Sequence, residues 1–385
     1  MKNLGIYVHV PFCVRRCPYC GFYSNACGYE GIGRIREYFD FLGRELDLRS
    51  REYSDTPYFV DSVYFGGGTP SLAEPELIKD MIGKIGECFP LSDDAEISME
   101  ANPGTLTRST LTRYRDAGVN RLSMGLQSFD DDLLKTLGRI HTAEDFRKCF
   151  DDARSSGFDN ISVDLMFGVP GQTRGIWAST VDELVSMHPE HISFYSLQIE
   201  EGTPFYEQYK MGDMIPVTDE EDRAMYHDAI RMLEENGYHQ YEISNAALAG
   251  KECRHNLKYW TFCDYLGIGA SASSFMDGVR RTNPGTSYEK FASSGFPDAS
   301  LAENHENSLF DNAADYMITG LRLNKGVSES DFETRFGKTI WEIFPDAEAD
   351  LAEFFDAGCI KKDAGRLFIT ERGIDISNKI LSCFV

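Results

Sequence analysis

The sequence predicts an α/β protein: a parallel sheet in the first two thirds of its 385 residues, followed by a small helical domain with a hairpin. Two observations carry this reading. Short apolar runs recur with helix-length amphipathic segments between them, and after residue 215 that alternation stops.

The first run, "IYVHV" (6–10), reads as a strand, and so do 62–66, 96–101, 121–125, 161–168 and 191–198. The segments 35–49 and 75–89 between them have helical periodicity. Six βα units suit either an incomplete barrel or a doubly wound sheet. In both, right-handed crossovers bring the carboxyl ends of the strands to one face, where ligands of α/β folds bind. Residues 218–238 then form one long amphipathic helix that turns at Gly237, leading into the aromatic-rich stretch 241–275. A polar Pro/Gly/Ser-containing segment, 284–308, reads as a linker between a core (1–283) and a C-terminal domain (309–385). The latter gives three helices, a hairpin at 358–370 and a last helix, a winged-helix-like order. Because it is acidic, a packing or lid role suits it better than nucleic-acid binding.

Composition narrows the function. A net charge of −24 argues against nucleic acid or an anionic membrane surface as the main partner. No run approaches the roughly 18 apolar residues of a membrane helix. The opening "MKNLGIYVHVPF" lacks the features of a signal peptide, so the expectation is a cytoplasmic protein. Of ten cysteines, three cluster in "HVPFCVRRCPYCGFYS" as C-x3-C-x2-C: Cys13, Cys17 and Cys20. A zinc site would want a fourth ligand, usually from a second close pair, and none is evident. Three thiolates on a cubane iron–sulfur cluster would leave one iron open to a ligand. "YFGGGTPS" (64–71) adds a glycine triplet at a strand end, where backbone N–H and C=O groups can meet a small ligand.

These motifs resemble the radical S-adenosylmethionine (SAM) superfamily, whose signature is C-x3-C-x2-C near the N-terminus. Over residues 4–275 the chain is similar to its coproporphyrinogen dehydrogenase-like branch, through "YVHVPFC", "GGGTPS", "MEANPGTL", "NRLSMGLQSF", "LGRIHT", "VDLMFGVPGQT" and "HISFYSLQIEEGTPF". The resemblance implies a partial (β/α)6 barrel of TIM type and a [4Fe–4S] cluster on the three cysteines. It implies SAM held by Tyr7, Gly67, Gly68, Thr69, Glu100, Gln127, Arg139 and Asp164. In that superfamily the open iron chelates SAM, and one electron cleaves it to methionine and a 5′-deoxyadenosyl radical.

Within the branch, the oxidative decarboxylases (oxygen-independent coproporphyrinogen III oxidases) read C-x3-C-x2-C-x-C and carry an N-terminal extension. Here Phe22 stands at the last cysteine position, and Cys13 comes early. Both features, and "HNLKYW" (255–260), are similar to the HemW group of heme chaperones. That resemblance implies a heme site at His255, Tyr259 and Trp260, with imidazole as an axial ligand and two rings for the porphyrin face. It also implies heme-acceptor proteins as partners, membrane-bound ones included, and leaves room for a homodimer. The decarboxylase and a zinc- or cluster-stabilised scaffold are the alternatives.

Overall fold

The computed structural model describes residues 2–28, 33–285 and 303–385. Its core is a partial (β/α)6 barrel. Six parallel strands follow the six expected runs: β1 (Lys2–Val10), β2 (Tyr58–Gly67), β3 (Leu91–Ala101), β4 (Arg121–Gln127), β5 (Ile161–Phe167) and β6 (His191–Ser196). The expected helices are α1 (Arg34–Glu52) and α2 (Pro75–Cys88). The remaining crossovers are α3 (Arg108–Asp116), α4 (Asp131–Thr136) with α5 (Ala143–Ser155), and α6 (Arg174–Ser186). After β6 come α7 (Pro204–Met211) and α8 (Asp219–Glu235). The chain leaves α8 through Gly237 at φ +83°, as the sequence suggests.

The strands continue as β7 (His239–Glu242), β8 (Asn245–Ala247), β9 (Tyr265–Ile268), β10 (Ser273–Met276), β11 (Val279–Thr282) and β12 (Glu303–Glu306). The sheet order is β12-β11-β10-β9-β1-β2-β3-β4-β5-β6-β8-β7, and its first and last strands do not pair with each other, so the barrel does not close. β9 pairs parallel with β1, while β8 and β10 start antiparallel extensions on either side. One expectation needs correction: 303–306 is a strand paired with β11, not linker. Residues 286–302 of the expected linker lie outside the described residues.

Strand alternation explains where the core lies. Ile6, Val8, Val63, Phe65, Met99, Leu122, Met124, Val163, Leu165 and Phe194 face the helices and are fully or almost fully buried with Leu42, Ile78, Phe146 and Trp177. The opposite face carries polar residues at every second position: Ser62 and Tyr64; Glu96, Ser98 and Glu100; Arg121 and Ser123; Ser162 and Asp164; His191 and Ser193. Register sets these side by side. Tyr64 pairs with Ser98 and Ser98 with Arg121, and one level up Gly125 pairs with Asp164 and Asp164 with Ser193. The barrel interior is therefore a polar chamber inside an apolar shell.

The C-terminal domain has its own core of Met317, Phe332, Ile340, Phe344, Leu351, Ile360, Leu367 and Phe384. Its first helix is α10 (Leu309–Gly320). The expected hairpin is present: Ile360–Asp363 pairs with Arg366–Ile369 around Ala364 and Gly365, at φ +47° and +73°. Asn324 N–H donates to Tyr241 O at 3.0 Å and Arg322 pairs with Glu242 at 3.3 Å, joining this domain to the edge of the barrel sheet. No helix among the described residues is long and apolar enough to cross a membrane.

Candidate cluster and ligand site

A cavity of about 610 Å³ occupies the carboxyl ends of the barrel strands. Cys13, Cys17 and Cys20 line it from the loop after β1. Gly67, Gly68, Thr69, Glu100, Gln127, Arg139 and Asp164 line it from the strand ends and following loops. Residues spread over 150 positions of sequence thus converge on one chamber.

The cysteine loop is pinned at its base. Residues 12–13 and 25–26 form a two-residue parallel ladder, and Cys20 N–H donates to Cys17 O at 3.1 Å. Thr69 Oγ1 donates to Cys13 Sγ at 3.4 Å and Arg139 Nη1 approaches Cys17 Sγ at 3.7 Å. Burial pushes the Cys13 and Cys20 thiols above the ordinary cysteine range. Among the described residues, no three His, Cys, Asp or Glu side chains converge as ligands of a single metal ion. A cubane makes no such demand, because each thiolate bonds a different iron. Three thiols around a shared cavity, two of them with donors at the sulfur, fit that group. Phe22, at the position of the missing fourth thiol, also lines the cavity and is 72% exposed.

Packing gives the glycine triplet a second purpose. A Cβ on Gly68 would lie 2.7–2.8 Å from backbone atoms of Phe12 and Val10, and one on Gly67 (φ +109°) 2.5 Å from the His9 ring. The N–H groups here are spent inside the fold: Gly67 donates to Glu100, Gly68 to Val10 O at 2.9 Å and Thr69 to Phe12 O at 2.7 Å. The glycines bring β2 against the cysteine loop, and these donors are not available to a ligand, in contrast to the sequence reading.

Glu100 accepts from Gly67 N–H at 3.1 Å and Tyr64 OH at 3.2 Å. Burial, with Asp164 adding to it, raises its pKa to about 7. Burial also raises Asp164, which accepts from Ser123 Oγ at 3.2 Å. Arg139 donates from Nη2 to Gly125 O at 2.8 Å, while its buried Nε has no partner. Gly125 makes room for this: a Cβ there would sit 2.9 Å from Arg139 Nη2 and 3.1 Å from Gln127 Nε2. Gln127 adopts φ +73°, at a register shift in β4. Two buried carboxyls, an arginine with a spare donor and an amide together suit a ligand bearing both ammonium and carboxylate groups.

The remaining sequence candidates lie elsewhere. Tyr7 does not line the cavity; its hydroxyl bonds with His9 Nδ1 at 3.1 Å. His255 and Tyr259 belong to α9 (Arg254–Trp260), whose first N–H groups, on Arg254 and His255, donate to the Glu96 carboxylate from β3 at 3.2 and 3.3 Å. His255 is fully buried, with Nδ1 bonded to Ser62 Oγ at 3.0 Å and Nε2 to Tyr259 OH at 2.9 Å. Burial, reinforced by Lys258, lowers its pKa to about 3, so the ring is neutral. An imidazole open to iron was the expectation; this one would have to break a hydrogen bond first. Trp260 faces a different cavity, and Asn256 is the one motif residue lining the main chamber.

Sequence reasoning missed Tyr64, Arg121, Ser123, His191, Ser193 and Tyr195, all of which line the chamber. The signal was available for five of them: Arg121 with Ser123, and His191 with Ser193 and Tyr195, lie an even number of residues apart on one strand and so share its face, whereas Tyr64 lies three residues before Gly67.

Family comparison agrees with this geometry. A Radical SAM superfamily model matches residues 7–184, and a HemN C-terminal domain model matches 308–376. The heme chaperone HemW of Bacillus subtilis is 37% identical over 98% of each chain, and that of Escherichia coli 32% identical over 100% of this chain and 99% of its own. A mitochondrial radical S-adenosyl methionine domain-containing protein 1 from Danio rerio is 33% identical, covering 97% of this chain and 83% of the relative. In structure, the chain matches E. coli coproporphyrinogen III oxidase (HemN), a radical SAM enzyme, with TM-score 0.85 and 24% identity over 100% of this chain and 90% of that one, a likeness of fold. Full-length identity at this level, on a barrel that gathers the three cysteines into one chamber, places the chain in the HemW family of radical SAM proteins.

Proposed function

We propose that the protein is a heme chaperone: it binds heme and passes it to acceptor proteins, while its core holds a [4Fe–4S] cluster and SAM. The observation that carries this is end-to-end similarity to proteins named as heme chaperones, C-terminal domain included. Cys13, Cys17 and Cys20 hold the cluster, and Thr69 and Arg139 stabilise thiolate charge on two of them. Glu100 and Asp164 accept from ammonium or ribose hydroxyls, the spare Nε of Arg139 meets the carboxylate, and Gln127 orients the ligand. Tyr7 stays outside the chamber, bonded to His9, whose ring stands against Gly67. Bound together, the cluster and SAM supply one-electron chemistry at the SAM sulfonium. The protein acts in the cytoplasm, meets acceptors that include membrane-bound proteins, and is able to form a homodimer.

One tube tests this. The anaerobically reconstituted protein is mixed with SAM, a strong reductant and coproporphyrinogen III, and 5′-deoxyadenosine and protoporphyrinogen are quantified together. Hemin binding is titrated in parallel. Stoichiometric heme binding without protoporphyrinogen is expected. Protoporphyrinogen formation would establish the decarboxylase instead, a reading that the HemN-like fold accommodates and Phe22 opposes.

A further inference from the structure

A second cavity, of about 550 Å³, lies between the end of α9 and the C-terminal domain and shares no residue with the main chamber. Trp260 walls it from the core. Tyr316 of α10, the turn at Lys325 and Gly326, and the side chains of Arg335 and Arg366 wall it from the other side.

Charge distinguishes this cleft. In a chain of net charge −24, its lining carries three cations, Lys325, Arg335 and Arg366, against one carboxylate, Asp331. Arg366 is fixed by donating to Lys325 O at 2.7 Å and Gly326 O at 2.8 Å. Arg335 donates to Phe262 O at 3.2 Å, and its guanidinium stands 5.5 Å from the Tyr316 ring centre. Lys325 is exposed, and no ion pair holds it among the described residues. Trp260 has the guanidinium of Arg322 at 4.6 Å over its ring, and its buried indole N–H donates to nothing.

The walls are close-packed. A Cβ on Gly326 would fall 2.1 Å from Leu367 O, and one on Gly320 2.6 Å from the Val327 side chain. The cleft is thus preformed, which lowers the ordering cost of binding. Aromatic surface, an unused N–H donor and uncompensated cations at one rim match a flat ligand carrying carboxylates.

We propose that this cleft binds a planar carboxylate ligand and, resting on the chaperone reading above, that it is where the porphyrin of heme sits, its propionates at Lys325 and Arg335. No His, Cys or Met lines the cleft, so the porphyrin and its carboxylates carry recognition and the iron adds little. The motif then acts through its last residue, Trp260, with His255 tying α9 to the barrel.

The test uses the full chain and follows hemin by its Soret band. Lys325→Glu reverses an exposed charge and leaves the packing intact, which circular dichroism checks; Trp260→Phe keeps a ring and removes the donor. Each is expected to weaken hemin binding, Lys325→Glu by about tenfold or more. Iron-free protoporphyrin IX is expected to displace hemin at comparable concentration. Wild-type hemin affinity in both variants, or failure of protoporphyrin IX to compete, overturns the cleft while leaving the chaperone reading intact. Absence of hemin binding by the wild-type protein overturns both.

Discussion

Tyr64 donates its hydroxyl to Glu100 at 3.2 Å while its ring lies against that of His255, centroids 5.4 Å apart. One side chain thus connects the floor of the ligand chamber to the helix carrying the H-N-x-x-Y-W motif. Tyr64 and Glu100 sit on neighbouring parallel strands, and both project to the same side by strand alternation. The buried carboxyl is held by two donors, and the tyrosine by packing against two rings, Tyr7 being the other neighbour at 6.2 Å.

Glu100 makes stability depend on pH. Its folded pKa, about 7, lies above its ordinary value of 4.5 because burial and Asp164 disfavour the charge. Between those values the native protein holds a proton that the unfolded chain has released, so stability falls as pH rises from about 4.5 to 7. Urea midpoints measured across this range should show that decline, and Glu100→Gln should flatten it. On the SAM reading, affinity for SAM should rise through pH 7 in the wild type, as the carboxylate forms to meet the ammonium, and stay flat in the variant.

Serine at Cys13, Cys17 or Cys20 should each remove most of the iron bound after anaerobic reconstitution, whereas Cys383→Ser, in the C-terminal domain, should not. Thr69→Ala should weaken cluster retention by about tenfold, because it removes the hydroxyl donor to Cys13 Sγ. Iron and sulfide analysis checks all five; equal iron in every variant would dismiss the cluster assignment.

Two glycine substitutions should act in opposite directions. Gly68→Ala forces a methyl to within 2.8 Å of backbone, which has nowhere to go, and should cost about 1–3 kcal/mol. Gly43→Ala, inside α1 with nothing within 4 Å of the new methyl, should stabilise by about 0.5–1 kcal/mol. Denaturant midpoints distinguish them.

Arg322→Met should loosen the C-terminal domain from the barrel. Glu242 has no exposed side-chain surface, and Arg322 is its cationic partner at 3.3 Å. Removing one member of such a pair strands a buried charge and costs about 3–5 kcal/mol. Thermal unfolding and limited proteolysis near residue 323 should both register the change. Unchanged behaviour would mean that Asn245, which also donates to Glu242, suffices.

The sequence by itself determined the parallel strands, the long helix ending at Gly237, the hairpin at 358–370 and the three-cysteine loop, because each is encoded within a few residues by periodicity, turn chemistry or spacing. Its resemblance to the radical SAM branch also named seven chamber residues, at strand ends and in the loops that follow. The tertiary structure decided the rest. Whether a polar strand residue such as Arg121 or His191 lines a chamber depends on which face the helices cover, and strand register across 150 residues settles that. Residues 303–306 became a strand because β11 offered an unpaired edge, something no local pattern announces. His255 looked like a ligand beside two aromatic rings, but the fold closed Ser62 and Tyr259 around its two nitrogens. A hydrogen-bonding side chain takes the role of the partners that packing brings to it, and those partners lie 193 residues upstream and four downstream.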